Sequence, residues 1–148
     1  MPVIPGDPAQ AVASALAFAA KSDQDAAVVD GYASLSRRVQ RGEDPVDLIA
    51  GHAQPCARRP VEPFTPAERA AIRAAFPGRD VGFVADPAAA LHARGPGAAL
   101  LVATRPLLDA QRGMVLVIRC TPGPRPMPVD VRWDGHVWQA VGTAGRAG

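Results

Sequence analysis

Residues 129–141 decide the fold, and they read Val-Asp-Val-Arg-Trp-Asp-Gly-His-Val-Trp-Gln-Ala-Val. Apolar and polar residues alternate up to Asp134-Gly135, and apolar positions resume after it, which is typical of two strands joined by a turn. An Asp-Gly pair can adopt the positive φ angles that a two-residue hairpin turn requires. The stretch therefore predicts a β-hairpin in which Trp133 lies opposite His136.

One face of this hairpin is apolar in the predicted register. Val131 lies opposite Trp138 and Val129 lies opposite Ala140, and Trp133 points to the same side. A face of this kind has to be covered by other elements, so we expect helices from the rest of the chain to pack on it.

Helix starts upstream are marked by a small polar residue followed by proline. The polar side chain accepts hydrogen bonds from the free amides of the first turn, and proline suits the first helical position because it has no N–H to satisfy. Thr65 is reinforced by Glu68, which completes a capping box. With the apolar spacing that follows each start, this pattern predicts helices over residues 8–20, 45–50, 66–76 and 87–93, and Ser22 with Asp25 predicts a further helix over residues 22–41.

Strands are predicted mainly in the second half of the chain, over residues 81–85, 98–104, 114–120, 128–133 and 136–141. Helices followed by strands indicate an α+β fold, with N-terminal helices packed on one face of a C-terminal antiparallel sheet. We expect this sheet to be a meander that ends in the β-hairpin. Residues 7–142 form a single domain in this interpretation, between a flexible N-terminus (1–6) and a flexible tail (143–148).

Composition limits the classes of function. The chain has 148 residues and a net charge of +2, which is too small to favour a nucleic-acid partner. The apolar run at residues 9–20 is too short to span a bilayer and lacks a basic flank, so we expect a cytoplasmic protein without a membrane partner. Two cysteines, Cys56 and Cys120, make no disulfide framework, and we expect both to be free thiols. The residue spacing gives no cofactor or metal site.

A non-enzymatic accessory protein is the favoured function, because the chain has no phosphate loop and no nucleophile elbow. Arg37, Arg38 and Arg41 would form a basic face on the helix predicted for residues 22–41, suited to a partner protein. The proline-rich loop 121–128 carries Arg125 and Met127. It would either protect a sheet edge or act as a stiff recognition segment.

The alternative function is a cavity protein that binds or converts a small apolar molecule. The element order of helices followed by an antiparallel sheet with a final Asp-Gly hairpin resembles cone-shaped α+β folds such as the nuclear-transport-factor-2-like group. The resemblance implies a pocket between helix and sheet, near Tyr32, Trp133, His136 and Trp138. A homodimer is a third expectation, since apolar strands such as 114–120 need cover on both faces.

Overall fold

The computed structural model describes residues 4–20, 26–33, 56, 59–60, 62–76, 81–94, 99–120 and 125–143. The helices in these ranges are α1 (Pro8–Ala19), α2 (Pro66–Ala74) and α3 (Pro87–Arg94). The strands are β1 (Ala26–Ala33), β2 (Gly82–Val84), β3 (Ala99–Thr104), β4 (Leu107–Leu108), β5 (Arg112–Arg119), β6 (Arg125–Trp133) and β7 (Trp138–Thr143). Across the same ranges, no helix is long and apolar enough to cross a membrane.

The strands form one sheet in the order β2-β1-β3-β5-β6-β7, with β4 paired to β5. β1 is parallel to both β2 and β3, and every other pair is antiparallel. β3, β5, β6 and β7 are neighbours in the order in which they follow one another along the chain. The α+β class predicted from the sequence is therefore confirmed, and the sheet, predicted to be antiparallel, is mostly antiparallel with two parallel pairs.

Strand β1 corrects the helix predicted for residues 22–41, of which residues 26–33 are described. Val28 packs in the core on one side of the sheet, and Val29 packs on the other. A strand buried on both faces is apolar at nearly every position, and such a run cannot be told from a buried helix by its spacing. Two β-branched valines in succession also favour the strand.

The helices cover both faces of the sheet, whereas the sequence predicted N-terminal helices on one face only. α1 and α2 pack on the face that carries Val115, Val117, Val129 and Val131. On the opposite face, α3 contributes Ala90 and Leu91, with Leu100 and Val102 of β3 beneath them. The parallel pairing of β1 with its neighbours requires chain crossovers, and a crossover places a helix on a sheet face.

The pairing of β6 with β7 keeps the predicted apolar face but shifts the register by two residues next to the turn, and by three at Val129 after a bulge. Trp133 lies opposite Trp138, not His136, and Val131 lies opposite Ala140. Asp134 causes the shift, because its Oδ1 accepts hydrogen bonds from the amides of His136 (2.7 Å) and Val137 (2.8 Å) and so closes a longer turn. A shift of two residues leaves each side chain on its original face, since side chains alternate with period two.

The end of the proline-rich segment is part of strand β6 and not of a loop. Pro126 and Pro128 lie opposite Ile118 and Leu116 of β5. The amide of Trp133 donates to the carbonyl of Gln111, next to β5, and amide directions alternate along a strand. The nitrogens of both prolines therefore face away from β5, toward the side on which β7 pairs with residues 129–133 of β6.

Cys56 and Cys120 form a disulfide, with a Cα–Cα distance of 5.5 Å, so the expectation of free thiols is wrong. Both residues are buried on the side of the sheet that α3 covers. Sequence spacing could not show this pairing, because 64 residues separate the cysteines and the sheet brings them together. Disulfides are typical of oxidising compartments, and this one counts against the cytoplasmic location expected above.

Candidate functional site

An open cavity of about 480 Å³ lies where the first turns of α1 and α2 meet the connection between β3 and β4. Tyr32 of β1 forms its floor. Ligand sites in proteins commonly have volumes of about 300–1,000 Å³, so this cavity is large enough for a small molecule. Its lining comprises Ile4, Asp7, Pro8, Ala9, Tyr32, Thr65, Ala67, Glu68, Arg105, Pro106 and Leu108.

Helix capping places the two carboxylates of the cavity. Asp7 is the N-cap of α1, and its Oδ1 accepts a hydrogen bond from the amide of Ala9 at 2.9 Å. Glu68 occupies the third position of α2, and its Oε1 accepts from the amide of Thr65 at 2.8 Å. Both side chains are held at the start of a helix by the local sequence, and the packing of α1 against α2 brings them to one cavity.

Tyr32 supplies the buried polar group of the site. Its side chain is 3% exposed, and its ring packs edge-on against Phe64 with the centroids 5.0 Å apart. The hydroxyl donates a hydrogen bond to Glu68 Oε2 at 2.5 Å. Burial raises the pKa of Tyr32 far above its usual value, and the neighbouring Glu68 carboxylate raises it further. The tyrosine is therefore a neutral hydrogen-bond donor at neutral pH.

Arg105 closes one side of the cavity. Its guanidinium lies 4.6 Å from the centroid of the Tyr32 ring, within the range of a cation–π interaction. Both Nε (2.8 Å) and Nη2 of Arg105 donate to Glu62 Oε2. These hydrogen bonds lower the pKa of the Glu62 carboxyl and raise the pKa of Arg105, so the two groups remain an ion pair.

The backbone next to Tyr32 fixes the position of Glu62. The amide of Tyr32 donates to the carbonyl of Glu62 at 2.9 Å. Gly31 has a φ of +150°, and a Cβ at this position would lie 2.6 Å from the same carbonyl oxygen and 2.8 Å from Pro60. Glycine is thus required here, because a side chain would push the segment that carries Glu62 away from β1.

Tyr32 is the one residue of the predicted pocket that lines this cavity. Trp133 and Trp138 instead face each other, with ring centroids 5.9 Å apart. Trp138 is buried, and its Nε1 donates to the carbonyl of Pro5 at 2.8 Å, so the N-terminal segment covers the pair. His136 is exposed in the turn between β6 and β7.

The residues predicted to bind a partner do not form one surface in the described part of the chain. Arg37, Arg38 and Arg41 lie outside the described residues. Arg125 is exposed at the start of β6, whereas Met127 is half-buried and packs against the core under α1.

Glu68, Asp7 and Arg105 were missed as site residues. Asp7 and Glu68 were identified from the sequence, but only as helix caps. Nothing in their spacing shows that the two helix starts meet, because this depends on the packing of α1 against α2. Arg105-Pro106 gave no signal, since its role comes from the parallel pairing that sets β3 beside β1.

Comparison with known proteins finds no matching family model, no matching curated protein and no matching solved structure. In the described ranges, no group of three His, Cys, Asp or Glu side chains is arranged to hold a metal ion.

Proposed function

We propose that this chain is a small-molecule-binding protein whose ligand occupies the cavity between the first turns of α1 and α2. The observation that carries the proposal is the hydrogen bond from the buried Tyr32 hydroxyl to Glu68 on the cavity floor. A buried polar pair beside an open cavity gives a ligand fixed partners, and fixed partners reduce the entropy lost on binding.

Binding without catalysis fits these groups better than a proton-transfer reaction. General acid–base catalysis works best with a group whose pKa lies near the working pH. The pKa of Tyr32 is shifted upward, away from neutrality, and Arg105 stays charged in its ion pair with Glu62. Neither group exchanges a proton readily at neutral pH, so the site is suited to holding a ligand.

Filling the cavity tests this function. Ala67 lines the cavity and is exposed, so Ala67→Phe should block the cavity without disturbing the core. Ala70→Phe is the matched control, because Ala70 is also exposed on α2 but does not line the cavity. We expect a fragment library screened by ligand-observed NMR to give hits that Ala67→Phe removes and Ala70→Phe keeps. Hits that persist with Ala67→Phe would place binding elsewhere.

A protein partner is the second candidate function. The observation that favours it is the exposure of Arg125 beside the stretch of β6 that the described part of β7 leaves unpaired. Replacing Arg37, Arg38, Arg41 and Arg125 by alanine should abolish capture of a partner and leave the melting temperature unchanged. If the quadruple variant captures the same partner, these arginines are not the contact surface.

A further inference from the structure

The charges that line the cavity are unbalanced. Arg105 carries the positive charge, but two of its nitrogens are already bound to Glu62. Asp7 and Glu68 form no ion pair with another described residue. The cavity therefore presents an excess of negative charge to a ligand.

Anion binding at the two helix starts is disfavoured, because few amides are free there. Both helices begin with proline, which has no N–H to offer. The amide of Ala9 donates to Asp7 Oδ1, and the amide of Glu68 donates to Thr65 Oγ1 at 3.1 Å. A helix start binds anions through free amides, and here the caps of the chain itself occupy them.

The hydrogen-bonding capacity that remains is mainly that of acceptors. Asp7 uses one carboxylate oxygen for capping, and its Oδ2 has no partner among the described residues. Tyr32 donates its single proton to Glu68, so its oxygen can offer a ligand only lone pairs. A ligand that donates hydrogen bonds and carries positive charge would satisfy both groups.

The site already accommodates a cation of its own. The Arg105 guanidinium lies over the face of Tyr32, beside two carboxylates. A ring face combined with nearby carboxylates is an arrangement that favours organic cations in general. The cavity lining also includes apolar side chains, those of Ile4, Pro106 and Leu108.

We propose that the ligand is a small molecule with a protonated amine on an apolar body. The ammonium group lies against Asp7 Oδ2 and the Tyr32 oxygen, with the negative charge of Glu68 beside it, and the apolar body lies against Pro106 and Leu108. This inference rests on the small-molecule function proposed above and specifies its ligand class.

Three probes of nearly equal size separate charge from shape: 2-phenylethylamine, 2-phenylethanol and 3-phenylpropionate. Near pH 7 the amine is cationic, the alcohol is neutral and the acid is anionic. When the amine is titrated into the protein, the methyl signals of Ala67 and Leu108 should shift in ¹H–¹³C NMR spectra. We expect the amine to bind at least about tenfold more tightly than either analogue, and its affinity to fall with added salt.

Two isosteric variants remove charge but keep the helix caps. Asn caps a helix about as well as Asp, and Gln can replace Glu in a capping box. Asp7→Asn and Glu68→Gln should each weaken amine binding, on the order of fivefold to tenfold. The matched control is Asp86→Asn, because Asp86 also precedes a helix-starting proline but lies outside the cavity lining. Its effect on binding should be negligible.

The outcomes distinguish a failure of the amine inference from a failure of the proposed small-molecule binding. Equal binding of the alcohol, or tighter binding of the acid, would overturn the amine inference while supporting a ligand cavity. Amine binding that neither isosteric variant weakens would also overturn it. If no probe shifts Ala67 or Leu108 and the library gives no hit that Ala67→Phe removes, both the ligand class and the cavity function are wrong.

Discussion

The hydroxyl of Tyr32 donates to the carboxylate of Glu68 at 2.5 Å, although 36 residues separate them in the sequence. Tyr32 reaches this position from a strand buried on both faces, and Glu68 from the first turn of a helix. The contact thus joins the sheet to α2 at the floor of the cavity.

The titration of Tyr32 should report this contact directly, since it is the one tyrosine of the chain. Its pKa is raised in the folded protein, so the folded state favours the protonated phenol. The stabilisation is complete below about pH 10, the usual pKa of tyrosine, and is lost as the pH rises above it. We expect phenolate absorbance at 295 nm to appear only well above pH 10. The free energy of unfolding should fall over the same pH interval.

Glu68→Gln provides the comparison for this titration, because it removes the charge that raises the pKa of Tyr32 while burial remains. The phenolate should then appear at a lower pH than in the unaltered protein. An ordinary tyrosine titration in the unaltered folded protein would contradict the contact.

Gly31→Ala should destabilise the protein strongly. A Cβ here would meet the carbonyl oxygen of Glu62 at 2.6 Å, and the φ of +150° is strained for any L side chain. We expect a loss of about 2–3 kcal/mol in the free energy of unfolding, measured by urea denaturation. Gly82→Ala is the control, because a Cβ there meets nothing within 4 Å. Equal effects of the two substitutions would show that Gly31 has no special role.

The Cys56–Cys120 disulfide should stabilise the folded state. A disulfide that closes a loop of this length typically contributes about 2–4 kcal/mol. Replacing both cysteines by serine should therefore lower the midpoint of urea denaturation. In the unaltered protein, alkylation under denaturing conditions without reductant should add no label by mass spectrometry. Two added labels would show that the thiols are free.

Pro126 and Pro128 should keep β6 from pairing with another chain on the side where the described part of β7 ends. Neither proline can donate a hydrogen bond, and their nitrogens face the side where the described part of β7 has ended. Replacing both by threonine would restore two donors at this edge. We expect the double variant to form dimers or larger species in size-exclusion chromatography with light scattering at concentrations where the unaltered protein does not. If the double variant stays monomeric, the prolines do not protect this side of β6.

The elements with polar caps and clear periodicity were predictable from the sequence, and β1 was not. α1 and α2 begin where Asp7-Pro8 and the Thr65–Glu68 capping box predict. Caps act within one helical turn, so their signal is local. β1 instead owes its structure to neighbours on both sides, β2 and β3, which lie far away in the sequence.

Of the residues in the candidate site, only Tyr32 was predicted from the sequence as a pocket residue. Its other polar groups, Asp7, Glu68 and Arg105, come together because α1 packs on α2 and β3 pairs with β1. The predicted pocket combined Tyr32 with Trp138, but α1 and the N-terminal segment lie over the tryptophans. Long-range packing of this kind leaves no trace in local spacing.

The disulfide also separates the residues that line the cavity into two groups. Glu68 and Arg105 lie between Cys56 and Cys120, inside a covalent ring, whereas Asp7 lies outside the ring. The wall formed by the N-terminal segment is held by non-covalent contacts, such as the hydrogen bond from Trp138 to Pro5. Thermal opening of the cavity should therefore begin with the N-terminal segment that carries Asp7.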